Sequence, residues 1–385
     1  MKIVYFTEPN FLDCDLPLIR EFQKANEVMV FIPLPPCFLK GSLLNIKQQI
    51  KKNGIIPASC YAEMNIYSDY LDLKGIYFLN RIKNSQLSLG YFRMLLKMKK
   101  MIDDFNPDVV HTTKALDVLE MILYKYRKKM CLTMHDPFLH SGKSNFRKKF
   151  FRKIAISITP KIVLLNKVQK DKFIETYNIN PRRVLINQLG IYDTINTFKI
   201  ESTKESNTNF NILFFGFISS YKGLEYLCEA MRMIHSEYPN ITLTIAGSGS
   251  LYFDFSVYQN LPCIQLINRY IEMNELARLL DLCSVVACPY KDATQSGVIM
   301  TSFAKSRPII ATNVGALGEQ IENGKTGVLV PSCDAKSLAK AIIYLYTHPE
   351  TLKQMRINIA NWTKTDGNSW SSIAEKYVEF YKYKL

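Results

Sequence analysis

One stretch near the C-terminal end constrains this chain most: residues 284–331, SVVACPYKDATQSGVIMTSFAKSRPIIATNVGALGEQIENGKTGVLVP. It opens with a short apolar run, 284–288, closed by Pro289, and passes into a polar loop, 290–295. A run of helical period follows over 296–305, then a strand at 308–312, a glycine-punctuated turn carrying Glu319, and a strand at 327–330. Strand, loop, helix, strand is the unit that builds a parallel sheet. Such a sheet binds ligands beyond the carboxyl ends of its strands, where the unpaired N–H groups of a helix N-terminus favour an anion. Gly297, in the first turn of the helix, has no side chain to hold a ligand away.

The registers Pro289, Thr294-Gln295-Ser296-Gly297, Pro308 to Thr312, Val314-Gly315 and Glu319 resemble the donor-binding region of family 4 glycosyltransferases, in their TQSG-loop subset. The resemblance implies an α/β chain of two Rossmann-like domains facing across a cleft, the GT-B fold, and a retaining transfer reaction. The family's pair of glutamates, spaced by seven residues, falls on Ala293 and Thr301, so both are absent here. The similarity is dense over 211–331, moderate over 105–195 and thin over 1–90.

A length of 385 residues fits two domains with a core each. The first half alternates strand-like segments (2–6, 28–32, 107–113, 131–134, 161–165, 183–187) with helical ones (16–25, 91–105, 115–129). Residues 33–90, with Pro33, Pro35 and Pro36, read as an irregular insertion holding one or two helices. The loop 7–15 ends the first strand. The division expected is 1–198 for the acceptor-side domain, 199–210 for a polar linker, 211–368 for the nucleotide-sugar domain, and 369–385 for a helix that crosses back. The second half restarts with strands at 211–216, 242–246 and 264–270 and helices at 224–237 and 274–283.

The resemblance assigns roles residue by residue. Lys222, in FGFISSYKG, matches the lysine of the family's cationic pair for the diphosphate; the arginine position is Phe217, and Lys291 is the candidate replacement. The amides of Ser296, Gly297 and Val298 would meet phosphate or sugar, and Thr294 or Gln295 would bond sugar hydroxyls. Read without the resemblance, the same loop is an ordinary helix start capped by Thr294. Glu319 matches the family's last glutamate. Gly216, Gly247, Gly249, Arg269 and Tyr270 fall where relatives line the nucleotide. His135, in TMHD, matches the histidine that faces the donor sugar, with a positioning role. Asp13, Asp15 and Asp136 are acceptor-side candidates, and His111 reads as a core histidine. No metal and no cofactor are expected; the donor is itself the nucleoside diphosphate-sugar.

The nine cysteines form no C-x-x-C pair, which fits reduced thiols in the cytoplasm better than zinc or disulfides. The net charge of +15 is confined to one half: residues 1–200 carry 32 Lys+Arg against 17 Asp+Glu, and 201–385 carry 17 of each. A basic face suits anionic lipid, an anionic acceptor or nucleic acid, and equally a plain solvated surface. Arg147 to Lys153 interleaves cations with aromatics, as a bilayer-facing patch does, or as a helix with its phenylalanines inward. No module for nucleic acid is present in the sequence. The expected partners are a nucleotide-sugar, a glycan acceptor of the cell surface (lipopolysaccharide or capsule, on a lipid carrier), and the inner face of the cell membrane. The alternative is a nucleotide-sugar-binding relative that has lost catalysis and acts as a regulator.

Overall fold

The computed structural model describes the chain except residues 40–42, 86, 117–118, 139–145, 199–208 and 385, and of 146–148 only the backbone. It forms two compact units, one of Met1–Leu189 with Trp370–Leu385, the other of Gly190–Ser369. Each is built on a sheet whose strands are nearly continuous apolar runs, the pattern of strands covered on both faces.

The first sheet holds β1 (Lys2–Phe6), β2 (Glu27–Leu34), β3 (Gly54–Pro57), β4 (Ile76–Asn80), β5 (Val109–Thr112), β6 (Met130–Met134), β7 (Lys161–Leu164) and β8 (Val184–Ile186). Their order is β3-β4-β2-β1-β5-β6-β7-β8, parallel except for the edge pair β3–β4. Helices α1 (Leu12–Gln23), α2 (Leu89–Phe105), α3 (Phe146–Ile158) and α4 (Lys170–Tyr177) belong to this unit. Ser88 starts α2, its hydroxyl accepting from the Tyr91 N–H at 3.1 Å, and Asn106 in the left-handed region (φ 50°) ends it.

Residues 33–90 differ from expectation. Among the described residues before Leu89 they form strands and 3₁₀ turns, with no α-helix. The β-branched and aromatic runs Ile55-Ile56 and Tyr77-Phe78 extend the sheet beside β2. Pro33 is tolerated inside β2 because it shares the parity of Phe31, whose carbonyl faces β1, and β1 pairs no further than Phe31. The expected helix over 115–129 is a 3₁₀ segment, Glu120–Lys129, whose first residue is fully buried and bonded to Lys114 and Tyr91. The loop expected over 7–15 is shorter, since α1 begins at Leu12.

The second sheet holds β9 (Phe210–Phe215), β10 (Ile241–Ala246), β11 (Ile264–Ile267), β12 (Val285–Cys288), β13 (Ile309–Thr312) and β14 (Gly327–Val330), all parallel in the order β11-β10-β9-β12-β13-β14. Around it are α5 (Leu224–Ile234), α6 (Met273–Leu282), α7 (Gly297–Ala304), α8 (Leu317–Gln320), α9 (Ala335–Thr347) and α10 (Pro349–Trp362). Its core packs Phe214, Ile245 and Val285 against Leu227, Met231 and Leu338. The boundary expected at 198 lies at 189. Residues 190–198 are held by the second unit, with Tyr192 N–H donating to Met300 O and Asn196 Nδ2 to Ala304 O, both at 3.2 Å. The expected linker lies outside the described residues apart from Asn209 and Phe210, and Phe210 already starts β9.

The final helix, α11 (Trp370–Lys382), returns to the first unit and packs on α1. Asn187 Nδ2 donates to Ile373 O at 3.0 Å, and Tyr377 and Tyr381 enter a buried polar cluster with Thr133 and His111.

Candidate active site

In the second sheet the strand order reverses between β9 and β12, and a crevice at such a switch point is where parallel sheets take ligands. Two features flank it. After β9, Gly216 leads to a 3₁₀ turn, Ser220–Lys222, that carries the Lys222 side chain inward until only 7% of the residue is exposed. After β12, the loop from Pro289 leads to α7. A methyl group placed on Gly216 would lie 3.0 Å from Lys222 Nζ and 3.8 Å from Val298 Cγ2, so the ammonium and the first turn of α7 meet over that glycine.

Lys222 Nζ makes no hydrogen bond or ion pair among the described residues. It lies 5.5 Å from the ring centre of Tyr290 and 6.0 Å from that of Phe214. Burial pushes its pKa down, against the weaker pull of Cys288. A buried cation without a counter-ion is costly, and an anionic ligand would relieve that cost. The N-terminus of α7 has the same polarity. Ser296 is its N-cap residue but its side chain makes no cap, and the amides of Gly297 and Val298 have no acceptor among the described residues.

The third amide expected to face a ligand is already used. Ser296 N–H donates to Gln320 Oε1 at 2.8 Å, and Gln320 Nε2 returns a bond to Ser296 O at 3.3 Å. Gln320 thus fixes the peptide from which α7 begins, and nothing local in the sequence signals it across 24 residues. Thr294 and Gln295 are half-buried in the loop before the helix. That loop rests on Gly315 (φ +53°), where a side chain would come within 1.6 Å of Ala293 O. Gly297 is also hemmed in by the protein, since a Cβ there would stand 2.8 Å from the Tyr192 ring. The two glutamate positions are closed: Ala293 is buried, and Thr301 spends its hydroxyl on Gly297 O at 2.9 Å.

Lys291, the candidate for the place of the missing arginine, is engaged elsewhere. Its ammonium is paired with Glu225 at 2.7 Å, its N–H bonds Tyr221 O at 2.7 Å, and Tyr252 donates to the same carboxylate. It clips the loop to the Lys222 turn. Arg269 is exposed and held by Glu275 through two 2.7 Å bonds, so its guanidinium is committed, and Tyr270 is exposed beside it. Gly247 and Gly249 follow β10 along the same edge as Gly216; the Gly249 peptide is bracketed by Asn268, at 3.2 Å on its N–H and 3.0 Å on its carbonyl. Glu319 is exposed in α8, next to Gln320.

In the first unit His135 follows β6, stacked on Phe11 with ring centres 3.9 Å apart and planes 7° apart. Burial lowers its pKa to about 4, Asp136 acting in the opposite direction, so the imidazole is neutral at pH 7. Asp15 is a buried node and not an acceptor-side carboxylate: Tyr5 Oη donates to it at 2.9 Å, as do the Thr7 hydroxyl and the Cys14 thiol. Burial raises its pKa to about 7 against those hydrogen bonds. Donor atoms of Cys14, Asp15 and His135 lie within 4.8 Å of one another, a trio that could hold a metal only by displacing donors from Asp15. Asp13 and Asp136 are half-buried near by in sequence. His111 is a satisfied core histidine, bonded to Tyr381 Oη and, at 2.9 Å, to Thr133 Oγ1, and stacked on Tyr5.

Comparison with known proteins gives the following. The model for glycosyl transferases group 1 matches residues 209–348, and that for glycosyltransferase family 4 matches residues 71–192. An uncharacterised glycosyltransferase of Methanocaldococcus jannaschii is 27% identical over 272 residues, covering 69% of this chain and 73% of that protein. HepE of Anabaena, solved with UDP-glucose, superposes with a TM-score of 0.68 at 16% identity, over 98% of each chain. UDP-GlcNAc 2-epimerase of Neisseria meningitidis, bound to UDP-GlcNAc, superposes with a TM-score of 0.57 at 14% identity, over 98% of this chain and 99% of that one. The last two share the fold, and fold alone does not name a reaction.

Proposed function

The chain belongs to the family 4 glycosyltransferases and has their GT-B fold, and from that premise we propose that it moves a sugar from a nucleoside diphosphate-sugar to an acceptor hydroxyl with retention of configuration. The carrying observation is the buried, uncompensated ammonium of Lys222 beside the uncapped first turn of α7. In the reaction the bond from the sugar's anomeric carbon to the diphosphate breaks, its electron pair leaving on phosphate oxygen. The acceptor oxygen bonds that carbon and its proton passes to the departing phosphate. Lys222 and the Gly297 and Val298 amides stabilise the charge that develops on the diphosphate, a task that needs no metal. A neutral His135 suits the positioning role implied for it, as a hydrogen-bond partner of the transferred sugar.

UDP is our first choice of nucleotide, because the HepE complexes contain UDP or UDP-glucose. For the acceptor we propose a hydroxyl of a cell-surface glycan or a lipid-linked saccharide, reached from the cytoplasmic face of the membrane. The test is a thermal-shift screen with UDP, GDP, ADP and their sugar conjugates, with magnesium and with chelator. We expect a shift for one nucleotide, the same in both conditions. Lys222→Ala should weaken that ligand about a hundredfold, the scale of losing a charge-assisted contact. No shift with any diphosphate would sink the proposal. A shift without release of nucleotide from any donor-acceptor pair would favour the catalytically degenerate relative.

A further inference from the structure

The outer face of α2 combines two properties that seldom share a solvated helix. Its inner face, Tyr91, Met94, Leu95, Met98 and Ile102, is in the core. Yet Leu89, Phe92 and Leu96 on the other side are 64%, 39% and 44% exposed, and Ile82 and Leu87 just before the helix are exposed too. A helix apolar on both sides is ordinarily covered on both. The remaining outward residues of its first turns are Arg93 and Lys97, preceded by exposed Lys83. None of these three cations has an ion pair among the described residues, whereas Lys99 and Lys100 are matched by Asp103 and Asp104 further along. The outward surface over 87–97 is therefore apolar and cationic, with no acid.

We propose that this face of α2 seats on an anionic lipid bilayer, Phe92, Leu89 and Leu96 entering the acyl boundary while Lys83, Arg93 and Lys97 meet lipid phosphates. Charge decides for that occupant. A second copy would set these cations against themselves, and all the excess charge of the chain lies in residues 1–200. An in-plane helix of this type gains from apolar burial and from attraction to anionic lipid together. Among the described residues no helix is long and apolar enough to cross a membrane. The seat also has a consequence for the reaction, and here the inference rests on the glycosyltransferase reading. Tyr91 Oη donates to Glu120 at 2.9 Å, Glu120 pairs with Lys114 at 2.9 Å, and Lys114 pairs with Glu8 at 2.7 Å, just past β1. The first turn of α2 is thereby tied to the carboxyl edge of the first sheet, so a bilayer held there presents lipid-linked acceptors to that edge. The surface differs from the Arg147 to Lys153 patch, where Phe150 is exposed on α3 but Arg152 is turned to Pro137 O.

The experiment is flotation of the full chain with vesicles of phosphatidylcholine alone and with added phosphatidylglycerol, at low and high salt. We expect binding to the anionic vesicles only, weakened by salt. Phe92→Ser/Leu96→Ser should lower partition at least about tenfold through lost apolar burial. Arg93→Gln/Lys97→Gln should lower it about tenfold and flatten the salt response. Lys149→Gln/Lys153→Gln on α3 should leave it unchanged. As a direct probe, Phe92→Trp should be quenched by brominated lipid. Undiminished binding in the α2 variants, equal binding to neutral vesicles, or a preference for duplex DNA would each overturn the assignment. All the altered residues are exposed, and the UDP thermal shift of each variant should equal that of the wild type. Loss of vesicle binding with that shift intact separates this surface from the donor site, and failure of the shift in the wild type bears on the donor reading alone.

Discussion

His111 and His135 are both buried in the first unit, and burial lowers their pKa values to about 3 and about 4. In the unfolded chain each would titrate near ~6.5. Below that pH the unfolded chain binds protons that the folded one refuses, so stability is complete above about 6.5 and falls as pH drops toward 4. Asp15 acts with the opposite sign. Its carboxyl, raised to about 7, keeps in the folded state a proton that the unfolded chain loses above about 4, so acidification from 7 toward 4 restores stability. Between pH 7 and pH 5 the two histidines lose stability and Asp15 partly offsets that loss, so removing Asp15 should steepen the loss by about 2 kcal/mol. Urea unfolding of wild type and Asp15→Asn at the two pH values should show that difference. Equal pH dependence would mean that Asp15 is already ionised at neutral pH. What the sequence shows at this scale is uneven for a physical reason. Lys222 is singled out by the family resemblance of its turn, FGFISSYKG, whose residues are contiguous. The ion pair of Lys291 is invisible there because the carboxylate it meets, Glu225, is 66 residues away.

Elements were easier to read than partners where their signal is local. The strands of both sheets are nearly continuous apolar runs, and α7 follows the polar loop that Pro289 opens. Residues 33–90 could not be resolved in that way, since an edge strand such as β3 takes its conformation from pairing with β4 and carries little period of its own. The anchoring of α7 is similarly non-local. Gln320 holds Ser296 by both backbone groups, and so sets the direction in which the Gly297 and Val298 amides point. Gln320→Ala should cost about 1 kcal/mol of stability, and lower affinity for the nucleoside diphosphate about tenfold as the first turn loosens. Gln320→Glu separates holding from charge. Its carboxylate can still accept from Ser296 N–H but cannot donate to Ser296 O, so stability should fall between wild type and the alanine variant. The added negative charge beside an anion site should weaken the diphosphate more than alanine does. If the glutamate variant binds as tightly as wild type, the first turn of α7 does not face phosphate.

At the scale of the whole chain, the path runs from the first unit through the second and back, and the two units differ in what they need in order to fold. Residues 190–369 contain β9 to β14, Lys222, α7 and Gln320 without interruption. An excised 190–369 fragment should therefore fold alone, bind the same nucleoside diphosphate within a fewfold of the full chain, and lose it on Lys222→Ala. Residues 1–189 are incomplete. Without α11, the half-buried Lys161 would lose Tyr381 O, and the buried His111, Thr133 and Asn187 would lose Tyr381, Tyr377 and Ile373 O, at about 1–3 kcal/mol for each buried group left unpartnered. Phe22 would also lose its aromatic neighbours Tyr377 and Tyr381. A total of that size reaches the whole stability of an ordinary domain. The 1–189 fragment should accordingly be unfolded or molten by near-UV circular dichroism. Joining 189 to 370 by a short flexible linker should restore it, because the Asn187–Ile373 bond already holds the two chain ends close together. A cooperative, native-like 1–189 would show that α11 is an accessory to the first unit and not part of its core.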